Sequence, residues 1–593
     1  MNHNIEKTTV NGTDLEQWFF YGAKEVGLNK KELNNTNVFP IADGDTGSNL
    51  SYTLSKMAGE SSSKTSFRDV IQSLSEKGLY NARGNSGIIF AAYINGLAKH
   101  GSHFDQVSTK EFGIIASEAV DSLYEAVDQP VEGTMITVIR EWAKYLADHG
   151  SKVSNFITLL SSAYNHASIA LSKTPQQLAV LRENHVVDSG AAGFVHFLKG
   201  INISLGELIS NNNNSTKKED IHLDGIEHPS NYKYCTEFLL KETAKPLLVQ
   251  DIKKLIRTHG DSIVVAKAQD KIRVHIHTNH PSSVMEIMEK QGEVIEQKVD
   301  ELSTPLPNEK QMVGILTDSI ADLPEEYKEK HSIHTLPLSI VFGNSWYLDK
   351  HTITLAQVID KIYTNPDYPT SSQPEPGRIR EFLEKYSERY DSLIFISVSS
   401  KMSGTYQSLV KEASSMGILG SKLTVIDSKT NSGAQGLIIQ AAVEMRDKGL
   451  KREVIAEKIK ELIPKAKIYV CLNTVEFATR GGRIPKSVGK IGMALGMRPI
   501  MSIDPEGKGT ASNMGFSQKA LTKKIMKIAE DAMKNKGISS YSIVHAQNLK
   551  LEKEYADTLT KIIKKEPAFI SEISSVVAIN SGPGSIALAY LEA

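Results

Sequence analysis

The sequence lacks the features of a secreted, membrane-spanning or nucleic-acid-binding protein. Only two cysteines, Cys235 and Cys471, occur in 593 residues, which is too few for a disulfide framework and is typical of a reducing compartment. The first residues have no apolar core of signal-peptide length, and no run of about 18 apolar residues occurs. Lys and Arg total 68 against 69 Asp and Glu, so no positive excess indicates nucleic acid or an anionic membrane. We therefore expect a cytoplasmic protein that binds no nucleic acid and makes at most transient contact with membranes.

The chain has enough apolar material for several folded domains. Apolar residues make up 40% of it and charged residues 23%, and at roughly 100 to 200 residues per domain its length predicts about three to five domains. From about residue 66 to 209 the apolar residues recur at helical spacing, which predicts an all-helical domain over residues 1–209. The polar run at 210–220 then predicts a linker, because it has nothing to bury.

The remainder of the chain predicts one small and one large domain that contain strands. In residues 221–305 the segment DSIVVAKAQDKIRVHIHT has the pattern of a β-hairpin. Prolines at 301–311 predict a second linker. Residues 312–593 alternate helical segments with short apolar runs, which predicts a two-lobed α/β domain. The runs that we interpret as strands include MVGILT, SLIFIS, KLTVID, KIYVCLN, YSIVHA and SVVAIN.

An acidic loop near the N-terminus has the composition of a divalent-cation site. In NVFPIADGDTGSNL, Asp43 and Asp45 flank Gly44, and Pro40 and Gly47 favour a turn there. Two carboxylates on one turn can converge on a hard cation, and Mg²⁺ that shares its ligands with a nucleotide phosphate fits this composition. Asp and Gly also favour ordinary turns, so the loop alone fits either a magnesium site or a plain turn.

Three further segments place glycine beside a polar residue at a predicted helix start. They are NARGNSGII at 81–89, VEGTMITVIR at 131–140, and VVDSGAAGF. The free backbone N–H groups of a helix start favour phosphate oxygens. Each segment alone also fits a simple capping turn.

These motifs, in this order over about residues 10–205, resemble the nucleotide-binding domain of the dihydroxyacetone kinase superfamily, in the form found in bacterial fatty acid kinases. The resemblance implies an antiparallel helical barrel that binds ATP at its rim. It implies Mg²⁺ held by Asp43 and Asp45, with Asn37 as a further ligand or phosphate contact. No Walker pattern is present, so the phosphate site is not a P-loop. The implied nucleotide pocket would be lined by Thr46, Ser48, Asn49, Asn85, Ser86, Thr134 and Asp188.

A cysteine and two histidines of the middle domain could bind one metal ion. His275 and His277 are two residues apart in a predicted strand, so their side chains share a face. With Cys235 they would form a Cys-His-His set that suits Zn²⁺ with a fourth position open. Alternatively, the histidines are only the polar face of the strand. The bacterial fatty acid kinases, which this region also resembles, have a Cys and an H-x-H in this order, and such a zinc could be structural, assist phosphoryl transfer or support dimerisation.

The last 280 or so residues carry seven motifs in order that resemble the DegV family of bacterial fatty-acid-binding proteins. They include PTSSQPEPG, ISVSSKMSGTYQSL, TRGGRIPKS and INSGPGSIALAY. The resemblance implies that hydroxyls of Ser371 and Ser403, beside Gly404, hold the fatty-acid carboxylate. It places Arg483 near the charged end, as a catalytic residue.

The segment SGPGSIALAY imitates a dinucleotide-binding fingerprint. The fingerprint needs an acidic residue about 20 positions later, and only nine residues follow Gly584, so we reject NAD binding. We interpret the loop as a carboxylate cradle at a helix start. The DegV family commonly has His before Thr-Gly-Pro-Gly, whereas this chain has Asn580 and Ser581. An asparagine amide can donate a hydrogen bond to a carboxylate but cannot carry a positive charge.

Together the resemblances imply a fatty acid kinase-like enzyme that transfers phosphate from ATP to a long-chain fatty acid. An ionised carboxylate needs no general base, so such a reaction depends on positioning and on neutralising phosphate charge. We expect a homodimer and a downstream acyltransferase that takes the acyl phosphate. Two alternatives stay open at this stage. One is a non-catalytic lipid-binding or sensing protein with a regulatory ATP site, and the other is a kinase for dihydroxyacetone.

Overall fold

The computed structural model describes residues 6–59, 64–206, 231–243, 246–302 and 313–593. The chain forms two compact units, residues 1–308 and 309–593. The predicted linker at 210–220 lies outside the described residues, as does most of the one at 301–311. Within the described ranges, no helix is both long enough and apolar enough to cross a bilayer.

The first unit begins with a bundle of helices around an aromatic core, so the predicted helical domain is confirmed. Its first helix starts with a capping box, in which Asn11 accepts from the Asp14 amide and Asp14 accepts from the Asn11 amide. Trp18, Phe112 and Trp142 are among the buried rings that meet edge to face. A two-residue pairing joins β1 (Thr9–Val10) to β2 (Val107–Ser108). The helices are α1 (Gly12–Leu28), α2 (Lys30–Asn35), α3 (Thr46–Ala58), α4 (Phe67–Asn81), α5 (Gly84–Gly101), α6 (Thr109–Glu118), α7 (Val120–Ala126), α8 (Met135–His149), α9 (Phe156–Ser172), α10 (Thr174–Gln177), α11 (Ala179–Glu183) and α12 (Ser189–Ser204).

The middle part of the chain forms an antiparallel sheet with the strand order β4, β5, β3, β6. The predicted hairpin is β4 and β5, and Gln269 in its turn has a positive φ of 52°. The elements are β3 (Tyr234–Lys241), α13 (Val249–Ile256), β4 (Asp261–Ala268), β5 (Lys271–Thr278), α14 (Pro281–Gln291) and β6 (Glu293–Glu301).

The middle sheet packs directly on the helical bundle, within the first unit. Val264, Ala266 and Ala268 of β4 share a buried apolar cluster with residues of α4, α5 and α7. The buried Arg273 of β5 donates to the carbonyl oxygens of Tyr80 and Ala82 at the end of α4, at 3.1 and 2.9 Å. Such buried contacts hold the sheet and the bundle together as one folded body.

The second unit is an α/β fold built on two main sheets, as predicted. A parallel sheet has the order β13, β12, β7, β8, and a mixed sheet has the order β16, β15, β14, β19, β17, β18. A small antiparallel sheet has the order β10, β9, β11. The strands are β7 (Val313–Asp318), β8 (Ile333–Leu336), β9 (Ser339–Phe342), β10 (Ser345–Leu348), β11 (Thr370–Ser372), β12 (Ser392–Ser397), β13 (Leu423–Asp427), β14 (Ala466–Cys471), β15 (Arg498–Ile503), β16 (Gly509–Gly515), β17 (Ile538–His545), β18 (Phe569–Glu572) and β19 (Ile586–Glu592).

Eleven α-helices of the described residues pack around these sheets and complete the second unit. They are α15 (Glu325–Lys330), α16 (Leu355–Thr364), α17 (Pro376–Arg389), α18 (Thr405–Ser415), α19 (Ser432–Asp447), α20 (Arg452–Leu462), α21 (Glu476–Arg480), α22 (Lys486–Ala494), α23 (Gln518–Asn535), α24 (Leu549–Ile563) and α25 (Ser575–Ser581).

Two sequence predictions near the C-terminus are wrong. The run SVVAIN is helix α25 rather than a strand, because Ser574 caps it by accepting from the Val577 amide at 3.1 Å. The SGPG loop therefore follows a helix and leads into strand β19, not into a helix start. The Gly584 amide donates to the Ala546 carbonyl at 2.7 Å, so it is already used within the fold.

Candidate functional site

Four helix N-termini of the first unit surround two adjoining cavities of about 40 and 320 Å³. These are the starts of α3, α5, α8 and α12, and the last three are the helix starts that the motifs predict. Phe39, Pro40, Asn85 and Ser86 line both cavities, so the two form one continuous cleft. Helix N-termini present partial positive charge and free N–H groups, which favour an anion such as a polyphosphate.

The acidic loop lies at the small cavity, which both aspartates line. Asp45 is the N-cap of α3, yet its side chain caps no backbone amide of the helix. The Asn37 amide donates to Asp43 Oδ1 at 2.6 Å, and the buried Asn37 Oδ1 has no hydrogen-bond partner. Carboxylate and amide oxygens are the ligands that Mg²⁺ prefers, so these three residues fit a magnesium ion that is shared with a phosphate.

The start of α5 approaches the acidic loop closely. Gly84 has a φ of +60°, and a Cβ there would lie 2.4 Å from Asn49 Nδ2. Glycine is favoured at this position, because its positive φ strains a residue with a Cβ and because such a Cβ would displace the Asn49 side chain. Asn85 Oδ1 is buried without a hydrogen-bond partner, and it lines both cavities. A polar ligand in the cleft would satisfy that atom.

The larger cavity has a mixed polar and apolar lining and a size that suits the nucleoside part of a nucleotide. Thr134 and Asp188, the N-caps of α8 and α12, lie on its wall. Burial raises the pKa of Asp188 to about 6, although the amides of Ala191 and Met135 partly offset this by hydrogen bonding. Arg257 and Ser262 of the middle part also line this cavity.

The Cys and His residues of the middle sheet form a compact cluster on the wall of the small cavity. Cys235 on β3 lies opposite His277 on β5, and Glu237 lies opposite His275. One ligand atom from each of Cys235, His275 and His277 lies within 4.8 Å of the others. The Nε2 atoms of the two histidines are 3.1 Å apart. All three residues line the same cavity as Asp43 and Asp45, so the Cys-His-His cluster and the acidic loop share one cleft.

The chemistry of this cluster fits a zinc-type cation. The buried His277 Nδ1 has no hydrogen-bond partner, and it lies 3.6 Å from Asp261 Oδ1. Burial and the neighbouring His275 hold the pKa of His277 well below its usual range, so its ring is neutral. Burial, with the charges of Glu237 and Asp300, raises the pKa of the Cys235 thiol. A divalent cation binds neutral imidazole and thiolate, and it would offset the buried negative charge.

Glu237 holds the cluster against the start of α5. Its Oε1 accepts from the Gly84 amide at 2.7 Å and lies 3.2 Å from His275 Nδ1. Burial would raise the pKa of Glu237, but the hydrogen bond with His275 and the charges of Arg273 and Lys298 lower it to about 2. Glu237 is therefore an ionised carboxylate at neutral pH.

Sequence reasoning missed Glu237 as well as the middle-domain wall of the large cavity. The signal for Glu237 was present, since it is two residues after Cys235 and shares its strand face. In contrast, the predicted pocket residue Ser48 lines neither cavity. Its hydroxyl accepts from the Asn34 amide at 2.9 Å, so it braces α3 against α2.

In the second unit, the segments that carry the two predicted serines pack against each other. Ser371 is exposed on β11, and Ser403 Oγ lies 2.8 Å from Thr405 Oγ1 at the start of α18. A Cβ on Gly404 would lie 2.1 Å from Gln373 Oε1. The segment after β11 therefore packs against the start of α18.

The remaining predicted residues of the second unit form a neighbouring group. A Cβ on Gly481 would lie 2.3 Å from Asn580 Oδ1, and Arg483 donates to the Gly481 carbonyl at 3.1 Å. Ser581 accepts from the Ser585 hydroxyl at 3.0 Å. Tyr368, shortly before β11, donates to the carbonyl oxygen of Ile579. The segment that carries Ser371 thus contacts both groups.

Three family models match the chain in succession. The DAK2 domain matches residues 40–202. The middle domain of FakA-like fatty acid kinase proteins matches residues 231–306. The DegV family, described as uncharacterised proteins, matches residues 312–593. The resemblances inferred from the motifs are therefore confirmed.

Curated relatives align with part of the chain. An uncharacterised protein of Staphylococcus epidermidis is 31% identical over 308 residues, which cover 49% of this chain and 55% of that protein. Protein YloV of Bacillus subtilis is 29% identical over 352 residues, covering 53% of this chain and 63% of YloV. The chain thus spans little more than half the length of these relatives.

Solved structures of DegV proteins also match. One, from Thermus thermophilus and described as a fatty-acid-binding DegV family protein, is 23% identical with a TM-score of 0.44, and covers 48% of this chain and 100% of that one. DegV of Bacillus subtilis, described as a fatty acid binding protein, is 24% identical with a TM-score of 0.42 and the same coverage. At TM-scores below 0.5, the assignment of the second unit rests on the family model. The chain therefore joins a DAK2 domain, a FakA-like fatty acid kinase middle domain and a DegV family domain, in that order, in one polypeptide.

Proposed function

We propose that the protein is an ATP-dependent kinase whose acceptor is the carboxylate of a fatty acid. The observation that carries the proposal is the cleft of the first unit, where Asp43 and Asp45 lie among four helix N-termini. The domain order supports it, because a DAK2 domain precedes a fatty acid kinase-type middle domain. The DegV domain supplies the proposed fatty acid site.

Each part of the cleft has a role in this proposal. Asn37, Asp43 and Asp45 would hold Mg²⁺, which when bound would offset the negative charge of the phosphates. The amides at the start of α3 and those that follow Gly84 in α5 would bind phosphate oxygens, and Asn85 would orient them. Thr134 and Asp188 would contact the nucleoside in the larger cavity.

The acceptor needs no catalytic base. A fatty acid carboxylate is ionised at neutral pH and carries a ready nucleophilic oxygen. The protein would therefore contribute in-line positioning and charge neutralisation. Attack of that oxygen on the γ-phosphorus forms the acyl phosphate bond, and the bond to the ADP oxygen breaks. The products are an acyl phosphate and ADP.

We expect the purified protein with ATP, Mg²⁺ and oleate to form acyl phosphate. The product would be trapped with hydroxylamine and measured as the hydroxamate by mass spectrometry, with ADP release followed in parallel. Omission of oleate, and its replacement by dihydroxyacetone, are the controls. ATP and oleate binding without hydroxamate would favour a regulatory ATP site, and ADP release with dihydroxyacetone would favour that acceptor.

We expect Ser403→Ala to retain fatty acid about tenfold less tightly than wild type. The proposed hydrogen bond from its hydroxyl to a charged carboxylate contributes about 1.5 kcal/mol or more. The measurement is the dissociation constant for a fluorescent fatty acid, with co-purified lipid quantified by mass spectrometry. Ser414→Ala is the matched control, since Ser414 lies near the end of α18, the helix that follows Ser403, and its hydroxyl donates to the Val410 carbonyl. Equal retention by the two variants would remove Ser403 from the lipid site.

A further inference from the structure

Among the residues that the structure describes, Glu237 is a carboxylate that contacts both the Cys-His-His cluster and the start of α5. The same oxygen, Oε1, lies 2.7 Å from the Gly84 amide and 3.2 Å from His275 Nδ1. The side chain is buried. Because a carboxylate only accepts hydrogen bonds, both nitrogen atoms must donate to it.

This arrangement places a proton on Nδ1 of His275. In the Nδ1–H tautomer, which is the form that binds a cation through Nε2, the ring presents its Nε2 lone pair to the cluster, where His277 Nε2 lies 3.1 Å away. A carboxylate in this position orients a metal-binding histidine and increases the basicity of its coordinating nitrogen. Glu237 therefore prepares His275 to bind a cation through Nε2.

The other partner of Glu237 belongs to the nucleotide cleft. Gly84 is the first residue of α5, and Asn85 and Ser86 follow it on the cleft wall. Glycine is favoured at position 84, because of its positive φ and its close contact with the Asn49 side chain. The conformation of this turn decides where the α5 amides point, and Glu237 ties the turn to His275.

We propose that Glu237 is a positioning residue that couples a divalent cation on the Cys235–His275–His277 cluster to nucleotide binding at the start of α5. The inference rests on the proposed function only in that ATP binds in this cleft. A cation on His275 would hold the ring, Glu237 and the Gly84 turn in one arrangement. Cation and ATP should then tighten each other's binding, and linkage requires the same factor in both directions.

The test measures this factor in both directions with the full-length protein. Cobalt replaces zinc as the probe, because a thiolate-to-cobalt absorption band reports the cysteine-containing cluster and not the aspartate loop. We expect Mg²⁺ and ATP to tighten cobalt binding about tenfold, and cobalt to tighten ATP binding, measured by calorimetry, by the same factor. A factor of one in wild type would overturn the inference. Absence of ATP binding in every state would overturn the proposed function as well.

Two variants distinguish the contact of Glu237 with both partners from the effect of its negative charge alone. Glu237→Gln should still bind both ligands, but its coupling factor should fall below about twofold. Glu237→Asp keeps the charge but is one methylene too short to reach both partners, so it should lose the coupling too. If Glu237→Asp keeps the full factor, charge alone explains the linkage and the bridge is wrong.

Glu242→Gln is the matched control. Glu242 follows β3 directly and accepts from Lys267 and from the Leu247 amide within the middle domain. This variant should keep the wild-type factor. Circular dichroism and the intensity of the cobalt band establish that each variant is folded and has an intact cluster, and loss of coupling in Glu242→Gln would contradict the specific role of Glu237.

Discussion

Asp45→Ala should lower acyl phosphate formation about 1000-fold, equivalent to about 4 kcal/mol of transition-state stabilisation. Asp45 lines the cleft, and its carboxylate caps no amide of α3, so its loss should cost little stability. Asp43→Ala should have a similar effect on the reaction. It would also leave the Asn37 amide, which donates to Asp43 at 2.6 Å, without that acceptor.

The measurement is the initial rate of hydroxamate formation at saturating oleate over a range of Mg²⁺ concentrations. Fatty acid bound to the second unit should stay at the wild-type level in both variants. Asp121→Asn, an exposed aspartate on α7, is the matched control and should keep wild-type activity. Wild-type rates in Asp45→Ala would remove the acidic loop from the reaction, and loss of lipid would contradict separate sites for nucleotide and lipid.

Arg273→Met should destabilise the first unit by about 3 kcal/mol. The guanidinium is 1% exposed and donates to the carbonyl oxygens of Tyr80 and Ala82. It also lies 3.2 Å from Glu296, which is partly exposed. Methionine fills part of the volume but leaves two carbonyl groups and one carboxylate without their partner, and such loss inside a core costs several kcal/mol.

The free energy of unfolding can be measured by urea denaturation with tryptophan fluorescence. In a Trp346→Phe background the remaining tryptophans, Trp18 and Trp142, report only the first unit. Arg68→Met is the control, because its ion pair with Asp105 at 3.2 Å is exposed and should contribute less than about 1 kcal/mol. Equal midpoints for the two variants would show that Arg273 does not fasten the sheet to the helices.

Much of the site was predictable because local sequence decides where a helix begins. The motifs around Gly84, Thr134 and Asp188 start helices where the sequence predicts them. Glycine and capping residues carry that information within a few positions. The shared strand face of His275 and His277 was likewise predictable, because side chains along a strand alternate with a period of two residues.

The missing parts depend on contacts between distant segments. Nothing local indicates that β4 packs against α5, or that Glu237 reaches the Gly84 amide 153 residues away. The same limit explains the error at SVVAIN, whose β-branched residues favour a strand although Ser574 and its surroundings make it a helix. Ser48 was predicted from its motif alone, whereas its hydrogen bond with Asn34 joins segments 14 residues apart.

The two-residue turn between β4 and β5 fixes which residues of β5 face Cys235. Inserting or deleting one residue inside β5 would exchange its two faces, since strand side chains alternate. His275 and His277 would then face away from Cys235, and Val274 and Ile276 would take their places. The length of β5 is therefore constrained by the need to keep both histidines facing Cys235. This strand should tolerate substitution far better than insertion.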